Sequence, residues 1–110
     1  MPTKITLIYD QPQDPDAFEA AYPDQLALAA KIPGIDRVES SKVWPKKDGT
    51  PTPAYRLLDL YFTDYDAASD AAATVEAGAF FPSVIALATG GVRIVFADIE
   101  RVTQRAGATS

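Results

Sequence analysis

The sequence predicts an α+β protein of the ferredoxin-like type, βαββαβ, with a four-stranded antiparallel sheet and its helices on one face. Three observations carry that prediction. Short apolar runs with strand character open and close the pattern, at Ile5–Tyr9 and Val92–Ile99. Two longer stretches with helical spacing, each closed by glycine or proline, separate strand-like runs. The two middle runs are joined only by a Pro/Gly-rich loop, which makes them antiparallel neighbours.

In the first strand Ile5, Leu7 and Tyr9 alternate with Thr6 and Ile8, the pattern of a central strand with both faces partly covered, and Asp10, Pro12 and Pro15 stop it. Asp14 then reads as an N-cap with Pro15 at the first helical position. Asp16 and Glu19 place negative charge where the helix dipole favours it. This helix is expected from Pro15 to about Ile32, with Pro33-Gly34 as its stop. The second strand, Ile35 to Trp44, is the least regular. The loop from 45 to 53 contains Asp48-Gly49, a turn signal, and leads to a third strand, Tyr55 to Phe62.

Thr63 and Asp66 resemble a capping box opening a helix whose inner stripe is expected to be Tyr65, Ala68, Ala72 and Val75. Gly78 is expected to break it, with Phe81, Val84, Ile85 and Ala88 marking a further helical segment before Gly90-Gly91. The last strand puts Val92, Ile94 and Phe96 on one face and Val95, Ala97 and Ile99 on the other. Residues 1–102 read as one domain and 103–110 as a polar tail that need not be ordered.

Composition bounds the chemistry. With 110 residues, 47% hydrophobic and 23% charged, the chain can build one core and bury roughly two thirds of its unfolded surface. It has no histidine and no cysteine, so any catalysis falls to carboxylates, tyrosines, lysines or a borrowed cofactor. A net charge of −5 repels phosphate backbones and argues against nucleic acid; Lys42, Lys46 and Lys47 are too few to reverse it. No apolar run reaches the ~20 residues of a membrane span, and the N-terminus does not read as a secretory signal. No membrane partner and a cytoplasmic location are therefore expected. Asp10, Asp14 and Asp16 match no calcium loop, and phosphate-loop and nucleophile-elbow motifs are absent, so no metal and no cofactor are expected.

Several residues stand out as candidates. On the third strand Leu58, Leu60 and Phe62 make one face, and Leu57, Asp59 and Tyr61 the other. The helices cover only one side, so the second needs cover, and the sheet of an identical subunit would supply it. Asp59 on that face is a candidate acid or base, or else pairs with Arg37, Arg56 or Arg93; Tyr61 is the second catalytic candidate. Phe18, Tyr22, Gln25, Ala29 and Ile32 follow helical spacing, which sets an amide on an apolar stripe. Gln25 either bonds a backbone group at the stripe's edge or lines a pocket, and Pro23 allows a kink that would interrupt the stripe. Tyr9, Trp44, Tyr61, Phe80 and Phe81 form an aromatic ligand wall, or else pack in the core and in a dimer. The candidate ligand set is Tyr9, Tyr22, Gln25, Trp44, Tyr61 and Phe81.

The opening Lys4-Ile5-Thr6-Leu7-Ile8-Tyr9, the stretch Pro15–Phe18–Tyr22, the segment from Leu28 to Gly34, the strand Tyr55–Phe62 and Gly90-Gly91-Val92 together resemble the EthD family of dimeric α+β barrels, over residues 3 to 100. The resemblance implies a homodimer whose sheets close into a barrel, with a cavity for a small apolar ligand between sheet and helices. It also places Gln25 where family members commonly carry a histidine, and Ala27 where they carry a proline. A glutamine orients a ligand but does not exchange protons near neutral pH.

Three functional readings stay open at this point. One is an enzyme or accessory protein acting on an apolar or aromatic metabolite in ether-degradation-like catabolism or secondary metabolism. Another is a non-catalytic dimer that binds a ligand or stabilises a partner protein. The last, taken from the wider superfamily, is a cofactor-free monooxygenase, cyclase or isomerase lacking the usual histidine.

Overall fold

Two-residue alternation buries every second side chain of the first strand, β1 (Thr3–Tyr9), so that Thr3, Ile5, Leu7 and Tyr9 all face the core in the computed structural model, which describes residues 1–103. The remaining elements are α1 (Pro15–Ala30), β2 (Arg37–Lys42), β3 (Arg56–Phe62), α2 (Tyr65–Ala72), α3 (Val75–Leu87) and β4 (Val92–Asp98). They form one antiparallel sheet of order β2-β3-β1-β4, the ferredoxin-like arrangement expected from the sequence. Ile5 lies opposite Leu60 and Phe96, and Leu7 opposite Leu58 and Ile94.

The core lies between this face and the helices. Phe18, Tyr22, Gln25, Ala29 and Ile32 are all buried, so the α1 stripe runs unbroken past Pro23. Asp14 caps α1 by accepting from the Ala17 N–H at 3.2 Å, with Pro15 at the start of the helix. The helix ends at Ala30 rather than near Ile32. Lys31 and Ile32 bond back to Leu28 and Ala29 in a tightened turn, and Gly34 at φ +82° turns the chain. The second strand spans Arg37–Lys42 rather than Ile35–Trp44, because the Ile35 N–H is held by the Ile32 carbonyl of that turn.

The second helical region departs most from expectation. Asp64, not the Thr63/Asp66 pair, caps α2 by accepting from Ala67 N–H at 2.8 Å. Its buried stripe is Ala68 and Ala71; Tyr65 is 55% exposed and Val75 87% exposed. The break falls at Ala73-Thr74, where the helices bend by 80°, and Gly78 sits inside α3. Thr74 explains the position. Its hydroxyl donates to the Ala71 carbonyl at 2.7 Å, closing α2, and accepts from Ala77 N–H at 3.2 Å, opening α3. One glycine in a helix costs only about 1 kcal/mol against alanine, which is too little to end it.

The helix layer stops short of β4, leaving Ile94 and Phe96 partly exposed on the helix side. No single helix among the described residues is long and apolar enough to cross a membrane. The tail expected over 103–110 lies, from residue 104, outside the described residues.

An ion pair ties α1 to the sheet. Arg56 on β3 donates to both Glu19 carboxylate oxygens, at 3.0 and 2.6 Å, and Lys42 stands 3.5 Å from one of them. The Arg56 hydrogen bonds hold the Glu19 carboxyl below its usual range. A depressed pKa contributes stability above the unfolded value, near 4.3, that is lost as pH falls through the folded value. Glu19→Gln should therefore lower the urea midpoint at pH 7, with the gap to wild type narrowing as pH falls below about 4. A gap that stays constant down to pH 2 would show that the carboxylate charge is not what stabilises.

Candidate functional site

The end of β1 and the middle of α1 bring two of the sequence candidates into contact. Tyr9 is fully buried, its ring edge-on to Phe18 at 5.2 Å between centroids and to Tyr22 at 6.2 Å. Its hydroxyl donates to the Gln25 side-chain carbonyl Oε1. Gln25 is 3% exposed, and its Nε2 has no hydrogen-bond partner among the described residues. Such an orphaned buried donor costs about 1–3 kcal/mol and calls for a specific explanation.

Gln25 also lines a groove of about 310 Å³ between α1 and α3, walled by Asp24 and Leu28 on one side and by Ser83 and Leu87 on the other. Ala21 and Ala86 leave its mouth open. Burial, and after it the neighbouring Tyr22, push the Tyr9 phenol well above its usual pKa. The phenol is thus a neutral donor at physiological pH. Tyr22, also raised by burial, shares a 2.9 Å hydrogen bond with Ser40 and lies under the Arg56 guanidinium at 4.8 Å.

A larger cavity of about 420 Å³ sits under the β2–β3 connection, lined by Lys42, Val43, Pro45 and Tyr55 among others. In its wall Gln11 Nε2 donates to Thr52 at 2.7 Å and Lys42 stands 3.5 Å from Glu19, and no lining side chain has a buried polar atom without a partner among the described residues. The groove beside Gln25 is therefore the one whose chemistry is incomplete.

The remaining candidates lie apart. Asp59 and Tyr61 occupy the opposite sheet face. Asp59 pairs with none of the three arginines; it accepts from the Thr6 hydroxyl at 2.5 Å and stands 4.0 Å from Lys4 Nζ. The register explains this, because Thr6 is directly across from Asp59 and Lys4 shares its face two residues away. Arg37, Arg56 and Arg93 pair instead with Glu39, Glu19 and Asp10. Tyr61 donates to Glu39 at 2.7 Å, which raises the phenol's pKa, and the Arg37 guanidinium lies 4.1 Å from the ring centroid. Trp44 is 87% exposed, and Phe81 packs half-buried against Phe80 on α3. Tyr9, Trp44, Tyr61, Phe80 and Phe81 thus form no single wall in the protomer. The groove's Leu28, Ser83 and Leu87 were not expected; only the packing of α3 on α1 brings them together.

No family model matches the chain. An uncharacterized 11.0 kDa protein from the thcB–thcC intergenic region of Rhodococcus erythropolis is 35% identical over 100 residues, covering 90% of this chain and 96% of that protein. Among solved structures, an ethyl tert-butyl ether degradation (EthD) family protein of Bacillus halodurans shares the fold with a TM-score of 0.81 at 24% identity, over 89% of this chain and 98% of its own. A cofactor-independent oxygenase of Streptomyces nogalater follows at 0.64 and 19% identity, over 94% and 97%. A dimeric protein of unknown function from Bacteroides fragilis, described as ferredoxin-like, gives 0.59 at 18% identity, over 89% and 95%. The EthD-type fold implied by the sequence resemblance agrees with the first of these structures.

Proposed function

The chain belongs to the family of the 11.0 kDa Rhodococcus erythropolis protein and has the fold of an EthD family protein, and we propose that it is a homodimer that binds a small apolar or aromatic molecule between α1 and α3. The observation that carries this reading is the unpartnered Gln25 amide beside an otherwise mostly apolar groove. Such a group is unfavourable in an empty protein and becomes satisfied when a ligand presents an oxygen to it. Neither a glutamine amide nor a neutral phenol exchanges a proton near pH 7, so the Tyr9–Gln25 pair is built to hold and orient rather than to transfer protons. That favours the ligand-binding role in an apolar-compound pathway; the likeness to the Streptomyces nogalater oxygenase is one of fold. The homodimer rests on the uncovered sheet face and on the dimeric state in which the Bacteroides fragilis neighbour is described.

Blocking the groove from outside tests the site without touching the core. Ala86 is exposed at its mouth, so Ala86→Trp should leave the melting temperature within a degree or two of wild type. Calorimetric titration with indane and naphthalene should show saturable binding to wild type that weakens about tenfold or more in the variant. Absence of saturable binding of either compound to wild type, or equal binding to both proteins, would move the ligand site elsewhere.

A further inference from the structure

We propose that Tyr9 is a positioning residue that fixes the Gln25 side chain with its N–H groups toward the groove, so that the site selects ligands carrying an accepting oxygen, such as a ketone, over ligands that only donate hydrogen bonds. This rests on the reading of the α1–α3 groove as a ligand site and adds its polarity. A glutamine amide offers one carbonyl acceptor and two N–H donors, and the two ends differ little in shape. What distinguishes them here is the phenol. Tyr9 stands among Phe18, Tyr22 and the apolar core, where its O–H has one acceptor among the described residues, Gln25 Oε1. Turning the amide by 180° would let Nε2 donate one N–H to the phenol oxygen but leave the phenol proton, the carbonyl and the second N–H unpaired, whereas the observed orientation leaves the two N–H groups of Nε2 unpaired among the described residues. Three unpaired groups cost more than two, so the amide is held. The groove therefore meets a donor that lacks an acceptor, while the carbonyl is already engaged.

Three bicyclic probes of nearly equal size separate the possibilities: 1-indanone, which only accepts; indole, which only donates; and indane, which does neither. Wild type should bind 1-indanone about 3-fold or more tighter than indane, and indole no tighter than indane. Gln25→Leu should erase the advantage of the ketone, bringing 1-indanone to the affinity of indane or below it. Tyr9→Phe removes the proton that holds the carbonyl, so the 1-indanone-to-indole ratio should fall toward unity with indane affinity unchanged. A Tyr9 that only packs would change all three affinities together.

In 15N-labelled wild type, the Gln25 side-chain amide signals should shift with 1-indanone and not with indane, a measurement that holds even if Tyr9→Phe fails to fold. Equal binding of indole and 1-indanone to wild type, or a ketone preference that survives in Gln25→Leu, overturns the proposed polarity while leaving the groove as a ligand site. Failure of all three probes to bind overturns the groove itself and this inference with it.

Discussion

Gly90→Ala is expected to destabilise the protein by about 3 kcal/mol or more, read as a lowered urea midpoint at unchanged slope. A methyl group at Gly90 would fall far inside contact distance of the Gln11 carbonyl oxygen and 2.7 Å from its carbon. Both are backbone atoms, so no rotamer change relieves the clash. Nor is the backbone free to retreat. Asp10 N–H bonds to the Gly91 carbonyl at 3.0 Å, Gly91 N–H to the Ala88 carbonyl at 3.0 Å, and Arg93 grips Asp10 at 3.0 Å. Gly91 itself, at φ +109°, turns the chain from α3 into β4. Gly78→Ala is the matched control: apart from its own helix backbone, no atom of the described residues lies within 4 Å of the added methyl, and stability should hold or rise by up to about 1 kcal/mol. Equal stability of the Gly90→Ala protein and wild type would mean that the chain leaving β1 does not pack on this turn.

The backbone plan was legible because its signals are local. Ile5, Leu7 and Tyr9 alternate, Asp14-Pro15 opens a helix, Pro33-Gly34 ends it, and each acts over a few residues. The misreadings share a different cause. Gly78 has the stronger breaking reputation, but Thr74 supplies hydroxyl bonds to both flanking helices, and those bonds decide where the bend falls. Tyr65, Ala68, Ala72 and Val75 fit a helical stripe by spacing, yet of these only Ala68 is buried, and the face turned to the core runs through Ala68 and Ala71.

The candidate site was legible in part. Gln25 announced itself as an amide on an apolar stripe, and Tyr9 as the last residue of a buried strand face. Their hydrogen bond was not visible, because it depends on how far α1 is displaced along β1, a tertiary quantity that no spacing encodes. The partner of Asp59 was missed for the same reason. Three arginines were considered, and cross-strand register supplied Thr6 and Lys4.

The last expectation concerns the uncovered sheet face, and it separates an effect on assembly from an effect on the protomer. Register places Arg37, Tyr61, Lys4 and Ala97 in one row across that face, Glu39, Asp59, Thr6 and Val95 in the next, and Ser41, Leu57, Ile8 and Arg93 in a third. Its charges are mostly neutralised within the protomer: Lys4 lies by Asp59, Arg37 by Glu39, and Arg93 by Asp10. Such a face can be covered by a second sheet without stranding a lone charge, with Leu57, Ile8, Val95 and the Tyr61 ring providing apolar contact. Leu57→Glu combined with Tyr61→Lys replaces two apolar contacts of this face by charges and removes the Tyr61–Glu39 bond. In an isolated protomer both positions are half-exposed, so the added charges stay hydrated and the fold should survive. Between two sheets each added charge loses its water at a cost of several kcal/mol, enough to shift a micromolar dimer to monomer. Light scattering at micromolar concentration should then give about twice 11.8 kDa for wild type and about 11.8 kDa for the double variant, with the far-ultraviolet circular dichroism retained. A wild-type mass near 11.8 kDa would end the dimer proposal; a double variant unchanged in mass and melting would show that the copies meet through another face, such as the Ile94–Phe96–Tyr65 strip beside the helices.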